Sequence, residues 1–279
     1  MNVAIIGTGL IGGSIALALR EKQIAKNIIG VDENIAHQKK ALELGLVDAI
    51  NELHEAIDKS DLIILAVPVD AAEILLPDIL GNVNGQIIMD VGSTKKSICE
   101  IAGKNNNRKQ FVATHPMWGT EYSGPEAAVK DAFKNKAVVI CNKEDSSKTA
   151  LSAVEKIYQQ LGMHLIYMDA AAHDIHAAYI SHISHITSFA LANTVLEKEK
   201  EDDAVFELAS GGFESTVRLA KSNPAMWAPI FMQNKENVLD VLNEHITQLR
   251  KFKSCLEKEN YEYLVELIQN ANKIKRIIK

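Results

Sequence analysis

Cysteine is scarce in this 279-residue chain: Cys99, Cys141 and Cys255 are odd in number, far apart and without C-x-x-C spacing. That pattern excludes a disulfide framework and a zinc knuckle, and it makes a reducing cytoplasm the expected compartment. Basic excess is missing as well, with a formal charge of -6 and a pI near 5.9. Lysine and arginine cluster only at the far end, in Lys273, Lys275, Arg276 and Lys279, which reads as a solvated helix end, so no nucleic-acid partner is expected. No membrane span is expected either, because the longest apolar stretch, after Asp169, is interrupted by four histidines and an aspartate. The chain opens directly on the strand-like run Asn2-Val3-Ala4-Ile5-Ile6, without a basic leader, so no secretion signal is expected.

What is present is a patterned, core-forming sequence. Hydrophobic residues make up 47%, ample for one large domain or two of ordinary size, and disorder is not expected. From Met1 to about Met168, short β-branched runs alternate with helical stretches. Strands are predicted at 2–6, 27–31, 62–66, 86–90, 111–114, 137–140 and 164–167. Most are continuously apolar, the mark of strands buried on both faces of a parallel sheet covered by helices. A doubly wound parallel α/β domain over 1–169 follows, and helical periodicity without further strands predicts an all-α domain over 170–279. The segment from Ala170 to Leu196, if helical throughout, is roughly 40 Å long at about 1.5 Å per residue. Its apolar positions cover more than one stripe, so it is expected to be buried between domains or against a second subunit. Residues Lys198 to Asp203 read as a charged loop, Ser210-Gly211-Gly212 as a break and Asn223-Pro224 as a turn.

After the first strand comes Gly7-Thr8-Gly9-Leu10-Ile11-Gly12, opening a helix from Ser14 to Glu21, and Asp32 stands 20 residues beyond Gly12 at the end of the next strand. That context is a Rossmann-like dinucleotide site: Gly7 permits the tight turn, Gly9 lets backbone approach the pyrophosphate, and Gly12 lets helix and strand pack closely. A carboxylate at Asp32 accepts from ribose hydroxyls and repels a 2′-phosphate, so NAD is preferred to NADP. The expected cofactor contacts are Gly7, Gly9, Leu10, Ile11, Gly12, Asp32, Val67 just past a strand end, and Ser93.

Two further strand ends converge on the crevice where such sheets hold their ligands. The run 87–90 leads into Val91-Gly92-Ser93-Thr94-Lys95, placing a hydroxyl and an ammonium at the carboxyl edge, and the next strand delivers His115 ahead of Pro116. A dehydrogenase acting on a carbinol must take a hydroxyl proton, and neutral imidazole does that near physiological pH. Ser93 either orients His115 or caps the helix that begins near Lys96. On the helical side, His182 and His185 stand three apart, as do His173 and His176; metal, core hydrogen bonding and a substrate contact from His185 are the readings, and no metal is expected. Arg218 either faces a cleft, where its planar fork grips a carboxylate, or pairs with a neighbouring acid at the surface. Met226 and Trp227 read as core or domain-contact residues.

Several blocks carry a family resemblance: Gly7 to Gly13, Asp90-Val91-Gly92-Ser93-Thr94-Lys95, His115-Pro116-Met117-Trp118-Gly119-Thr120-Glu121-Tyr122-Ser123-Gly124, His173-Asp174, Ser181-His182-Ile183-Ser184-His185, and Arg218 to Trp227. In this order they resemble the prephenate/arogenate dehydrogenases of tyrosine biosynthesis, the TyrA family. The resemblance implies oxidative decarboxylation of prephenate to 4-hydroxyphenylpyruvate, with hydride passing from the ring carbinol carbon to NAD+ while the ring carboxyl leaves as CO2. It implies that His115 takes the ring hydroxyl proton with Ser93 as partner, that Arg218 anchors a carboxylate, that His185 contacts substrate, and that Thr120 and Glu121 shape and gate the pocket. It implies a homodimer through the helical domain, and tyrosine inhibition is common among its members. Ending at Lys279, the chain is expected to lack an appended ACT domain or fused chorismate mutase. Arogenate is the nearest rival substrate; a β-hydroxyacid or imine reductase and a non-catalytic NAD-sensing protein are more distant readings.

Overall fold

The structure is a computed structural model describing residues 1–199 and 210–276. Its centre is one eight-stranded sheet in the order β3-β2-β1-β4-β5-β6-β7-β8. The strands are β1 (Asn2–Ile6), β2 (Asn27–Val31), β3 (Ala49–Ile50), β4 (Leu62–Leu65), β5 (Ile87–Asp90), β6 (Phe111–Pro116), β7 (Ala137–Cys141) and β8 (His164–Met168). Alternation along β1 shows why these runs are apolar throughout: Val3 and Ile5 belong to one buried cluster, Ala4 and Ile6 to another on the opposite face. Helices α1 (Leu10–Glu21), α2 (Ile35–Glu43) and α6 (Lys148–Gln160) contribute Ile15, Leu19, Ala41, Val154 and Tyr158 to the first cluster. On the other face, α3 (Leu53–Asp58), α4 (Val69–Asn82) and α5 (Lys96–Ala102) contribute Ile57, Leu76, Ile79, Ile98 and Ala102.

The sheet departs from the expected all-parallel design at one junction. β6 and β7 pair antiparallel, Thr114 opposite Ile140 and His115 opposite Val139, so β7 and β8 run against the other six. A parallel crossover needs a connection that returns the chain to the opposite end of the sheet, usually a helix. Residues 117–136 contain only a short 3₁₀ turn, Pro125–Ala127, and the chain re-enters from the end at which it left. A strand buried on both faces reads the same in either direction, so sequence periodicity could not show this. The two-residue β3 also escaped prediction, being too short for a pattern.

Beyond β8 the long helical stretch is confirmed and resolved into parts: α7 (Ala170–Ala177), a π-helical segment (Ala178–His182) and α8 (Ile183–Glu199). Lys198 therefore ends a helix instead of opening the charged loop expected to Asp203, and the rest of that loop lies outside the described residues. The Gly-Gly break becomes a helix start, with Ser210 at the cap position of α9 (Gly211–Val217). Asn223 caps α10 (Pro224–Gln233) through its side chain, which accepts from the Ala225 N–H at 2.9 Å. Two compact units result, Met1–Asn234 and Lys235–Lys279. The first holds the sheet and the helices to α10; the second holds α11 (Lys235–Glu257) and α12 (Tyr261–Ala271).

Candidate active site

The glycine loop takes the form its sequence requires. Gly7 adopts φ +93°, its N–H donating to the Val31 carbonyl at 2.8 Å, and a Cβ there would lie 2.4 Å from the Ala66 carbonyl oxygen. At Gly12 a Cβ would meet the Gly7 carbonyl oxygen at 1.9 Å, so α1 packs against the loop only because no side chain intervenes. Gly9 is the opposite case: nothing lies within 4 Å of where its Cβ would stand, and it caps α1 without a side-chain hydrogen bond. The N-terminus of α1 thus has open space beside Gly9, room for a phosphate to approach uncapped N–H groups. Leu10 and Ile11 are half-buried beside it. Val67, past the end of β4, is half-buried against the same turn, its Cγ1 3.0 Å from the would-be Cβ of Gly7. Asp32 accepts from the Thr8 N–H at 2.8 Å and the Thr8 hydroxyl at 2.9 Å, tying the loop to the end of β2; its other oxygen accepts from the Asn34 N–H at 3.0 Å. These residues fit a dinucleotide.

At the carboxyl end of β6, two strands from β1's neighbour β4, stands His115. Its Nδ1 lies 2.8 Å from Nε2 of His173, whose Nδ1 lies 2.7 Å from Oδ1 of Asp174. Burial, reinforced by His173, Lys95 and His182, holds the His115 imidazole well below its ordinary pKa, so it is neutral at physiological pH. Asp174 is buried on α7, and both of its oxygens are occupied from α5: the Lys95 N–H donates to Oδ1 at 2.8 Å and the Lys96 N–H to Oδ2 at 2.9 Å. The cap of α5 is therefore Asp174, reached across 78 residues, and not Ser93. Ser93 is half-buried and makes no hydrogen bond among the described residues; the ring nitrogen of His115 that has a partner is held by His173.

Lys95, expected as an ammonium at the crevice edge, is instead fully buried and paired with Asp90. Asp90 also accepts from the Gly92 N–H at 3.0 Å and the Thr114 N–H at 3.1 Å, so this buried charge is paired and hydrogen-bonded and fixes the turn after β5. Thr94, in the same turn, donates to the Gln233 side-chain oxygen of α10 at 2.6 Å. His182 of the π segment pairs with Asn234, which also donates to the Asp174 carbonyl at 2.7 Å. Burial lowers the His182 imidazole to about 4, with His173 and His185 adding to the fall and Asp174 opposing it.

The remaining candidates gather around Arg218. This guanidinium, half-exposed on the 3₁₀ turn after α9, donates to Glu121 Oε2 at 2.6 Å, joining two residues 97 apart. The Glu121 carboxyl sits below its usual range because its own backbone N–H and Arg218 stabilise the charge against desolvation. Thr120 accepts from the Tyr122 N–H at 3.3 Å, shaping the loop that carries Glu121. His185 donates from Nδ1 to the Ser181 carbonyl at 3.0 Å and stacks on Trp227, ring centroids 3.4 Å apart at 25°. Burial lowers its pKa; the Ser181 carbonyl opposes this, and Arg218 adds to it. Trp227 packs with Val69 and Ile230, the core role its sequence context implied. Among the described residues no group of three or more His, Cys, Asp and Glu could hold a metal ion.

The site thus comprises an open helix terminus, a neutral half-buried imidazole and a carboxylate-binding cation. Sequence reasoning missed the roles of His173, Asp174, His182 and the Lys95–Asp90 pair. The adjacent His173-Asp174 was visible, but nothing local says which strand it serves.

Known proteins carry the same frame. The chain matches the prephenate dehydrogenase nucleotide-binding domain over residues 15–167 and the prephenate dehydrogenase dimerization domain over residues 169–270. The prephenate dehydrogenase of Bacillus subtilis is 32% identical over 274 residues, covering 97% of this chain and 74% of its own. A crystal structure of prephenate dehydrogenase from A. aeolicus, in complex with hydroxyphenyl propionate and NAD+, superposes with a TM-score of 0.89 at 31% identity, covering 99% of this chain and 97% of that one. Synechocystis arogenate dehydrogenase follows with a TM-score of 0.79 at 26% identity, covering both chains in full. With both domain types matched in order along a sheet, loop and histidine arranged as described, the chain belongs to the prephenate dehydrogenase family.

Proposed function

We propose that this protein is an NAD-dependent dehydrogenase that converts prephenate to 4-hydroxyphenylpyruvate in tyrosine biosynthesis, working in the cytoplasm. The observation that carries the reading is His115: a neutral, half-buried imidazole at the same end of the sheet as an open nucleotide loop. NAD+, when bound on Gly7, Gly9, Leu10, Ile11, Gly12, Asp32, Val67 and Ser93, supplies the hydride acceptor. His115 holds the proton of the ring hydroxyl while the carbinol carbon loses hydride. The bond to the ring carboxylate then breaks, its electron pair enters the ring, and CO2 departs. His115 returns the proton to the phenolic oxygen, so the balanced reaction releases no proton. Arg218 anchors a substrate carboxylate and must exchange Glu121 for it, which makes Thr120 and Glu121 the pocket gate; His185 contacts the substrate.

Residues 1–169 are the cofactor domain in this reading, and 170–279 the substrate and dimerisation domain of a homodimer. Ile180, largely exposed on the π segment, and Ile175, partly exposed on α7, lie inside the matched dimerization domain and suit a subunit contact.

Arogenate is the second substrate reading, favoured by the full-length likeness to an arogenate dehydrogenase. A four-way assay decides: prephenate and arogenate, each with NAD+ and NADP+, followed by reduced-cofactor absorbance. Turnover of prephenate with NAD+ is expected to exceed the other three combinations. Absence of turnover in all four ends the dehydrogenase reading.

A further inference from the structure

With both imidazoles neutral, hydrogen-bond direction fixes the protonation pattern of the histidine pair. Asp174 Oδ1 and Oδ2 each face a backbone N–H of α5, at 2.8 and 2.9 Å, and a backbone N–H can only donate. Oδ1 is therefore an acceptor, and His173 Nδ1, 2.7 Å away, must carry its proton toward it. A neutral imidazole has one N–H, which leaves His173 Nε2 bare. Nδ1 of His115, 2.8 Å from that bare nitrogen, must in turn be the donor. His115 Nε2 is then left with a lone pair.

We infer that His173 and Asp174 are positioning residues that hold His115 in the Nδ1–H tautomer, so that Nε2 is the atom that takes the hydroxyl proton. The inference rests on the dehydrogenase reading above and names the groups behind its base. The wrong tautomer, with Nε2 protonated, could not accept a proton from substrate at all. Once Nε2 is protonated, the Asp174 carboxylate, two hydrogen bonds away through His173, balances the new charge without itself accepting a proton. That follows the logic of a carboxylate orienting a catalytic imidazole, here with one more ring in between. The carboxylate is held still because the N-terminus of α5 grips it from the other side. The other charged and titratable groups around His115 are Lys95, neutralised by Asp90, and His182, lowered to about 4 by burial.

The test has a spectroscopic arm and a kinetic arm, both on the full chain with NAD+ present. In the first, ¹⁵N-histidine NMR of the wild type, assigned by comparison with His115→Asn, is expected to show His115 protonated on Nδ1 and bare on Nε2. In the second, His173→Leu removes the acceptor and is expected to lower kcat at least a hundredfold with KM within about threefold. His173→Gln can offer its oxygen to His115 and its amide to Asp174, and is expected to recover at least tenfold of that loss. A His115 ring protonated on Nε2 in the wild type overturns the inference, as does a His173→Leu enzyme that keeps kcat within threefold. Should His173→Leu not fold, the wild-type tautomer and the His173→Gln kinetics decide. A wild-type protein that turns over neither substrate sinks the dehydrogenase reading instead, and the tautomer measurement still judges the pairing on its own.

Discussion

At the scale of the residue, burial does the chemical work. His115 is moved well below its ordinary pKa chiefly by desolvation, with His173, Lys95 and His182 adding to the shift. A base must be neutral to accept a proton, and a lowered pKa keeps it neutral at lower pH. The acid limb of kcat/KM is accordingly expected below pH 6.5, and an acid limb at or above 6.5 in a pH–rate profile would contradict it. His115→Asn is expected to lower kcat by about 10²–10⁴ with little change in KM. Arg218 makes a charge-assisted bond to Glu121, so it has a carboxylate-sized partner to exchange. Arg218→Gln is expected to raise KM roughly ten- to a hundredfold, the equivalent of about 1.5–3 kcal/mol for a bond to a charged group. An unchanged KM would remove Arg218 from the anchor role. His115 and Arg218 could be singled out from local blocks of sequence. Asp174 could not, since its value lies in reaching α5 from another helix.

At the scale of the element, α1 separates a tightly packed glycine from one that faces open space. Gly12→Ala forces a methyl to within 1.9 Å of the Gly7 carbonyl oxygen, and melting is expected to show a loss of about 3 kcal/mol or more. Gly9→Ala meets no atom within 4 Å, so the fold is expected to melt as the wild type does while NAD+ affinity falls roughly tenfold in a binding titration. Equal melting losses for the two variants would show that Gly9 also has a packing role. The strand–loop–helix order around these glycines was legible because each step has a local signature. The cap of α5 was not legible for the converse reason: Ser93 has the chemistry of a cap, but Asp174 arrives from α7 with two oxygens at bonding distance. The π segment carrying His182 was equally invisible, because a single widened turn leaves no periodicity of its own.

At the scale of the molecule, the exposed apolar residues of α7 and the π segment carry the assembly prediction. Ile180 is 64% exposed, and Ile175 45%, in the single chain. Light scattering after gel filtration is expected to show a dimer for the wild type and a shift toward monomer for Ile180→Glu, which puts a charge into an apolar contact. A wild-type monomer, or a variant as dimeric as the wild type, would move the contact elsewhere. By itself the sequence determined the layered α/β architecture, the nucleotide loop and the long helix after β8, because each follows from the spacing of apolar and glycine residues over a few turns. Only the tertiary structure decided that β7 and β8 run backwards, that Lys95 is sealed on Asp90, and that Asp174 stands two hydrogen bonds behind His115. Direction, burial of charge and long-range pairing depend on which segments meet, and a one-dimensional pattern does not encode which neighbours a residue will find.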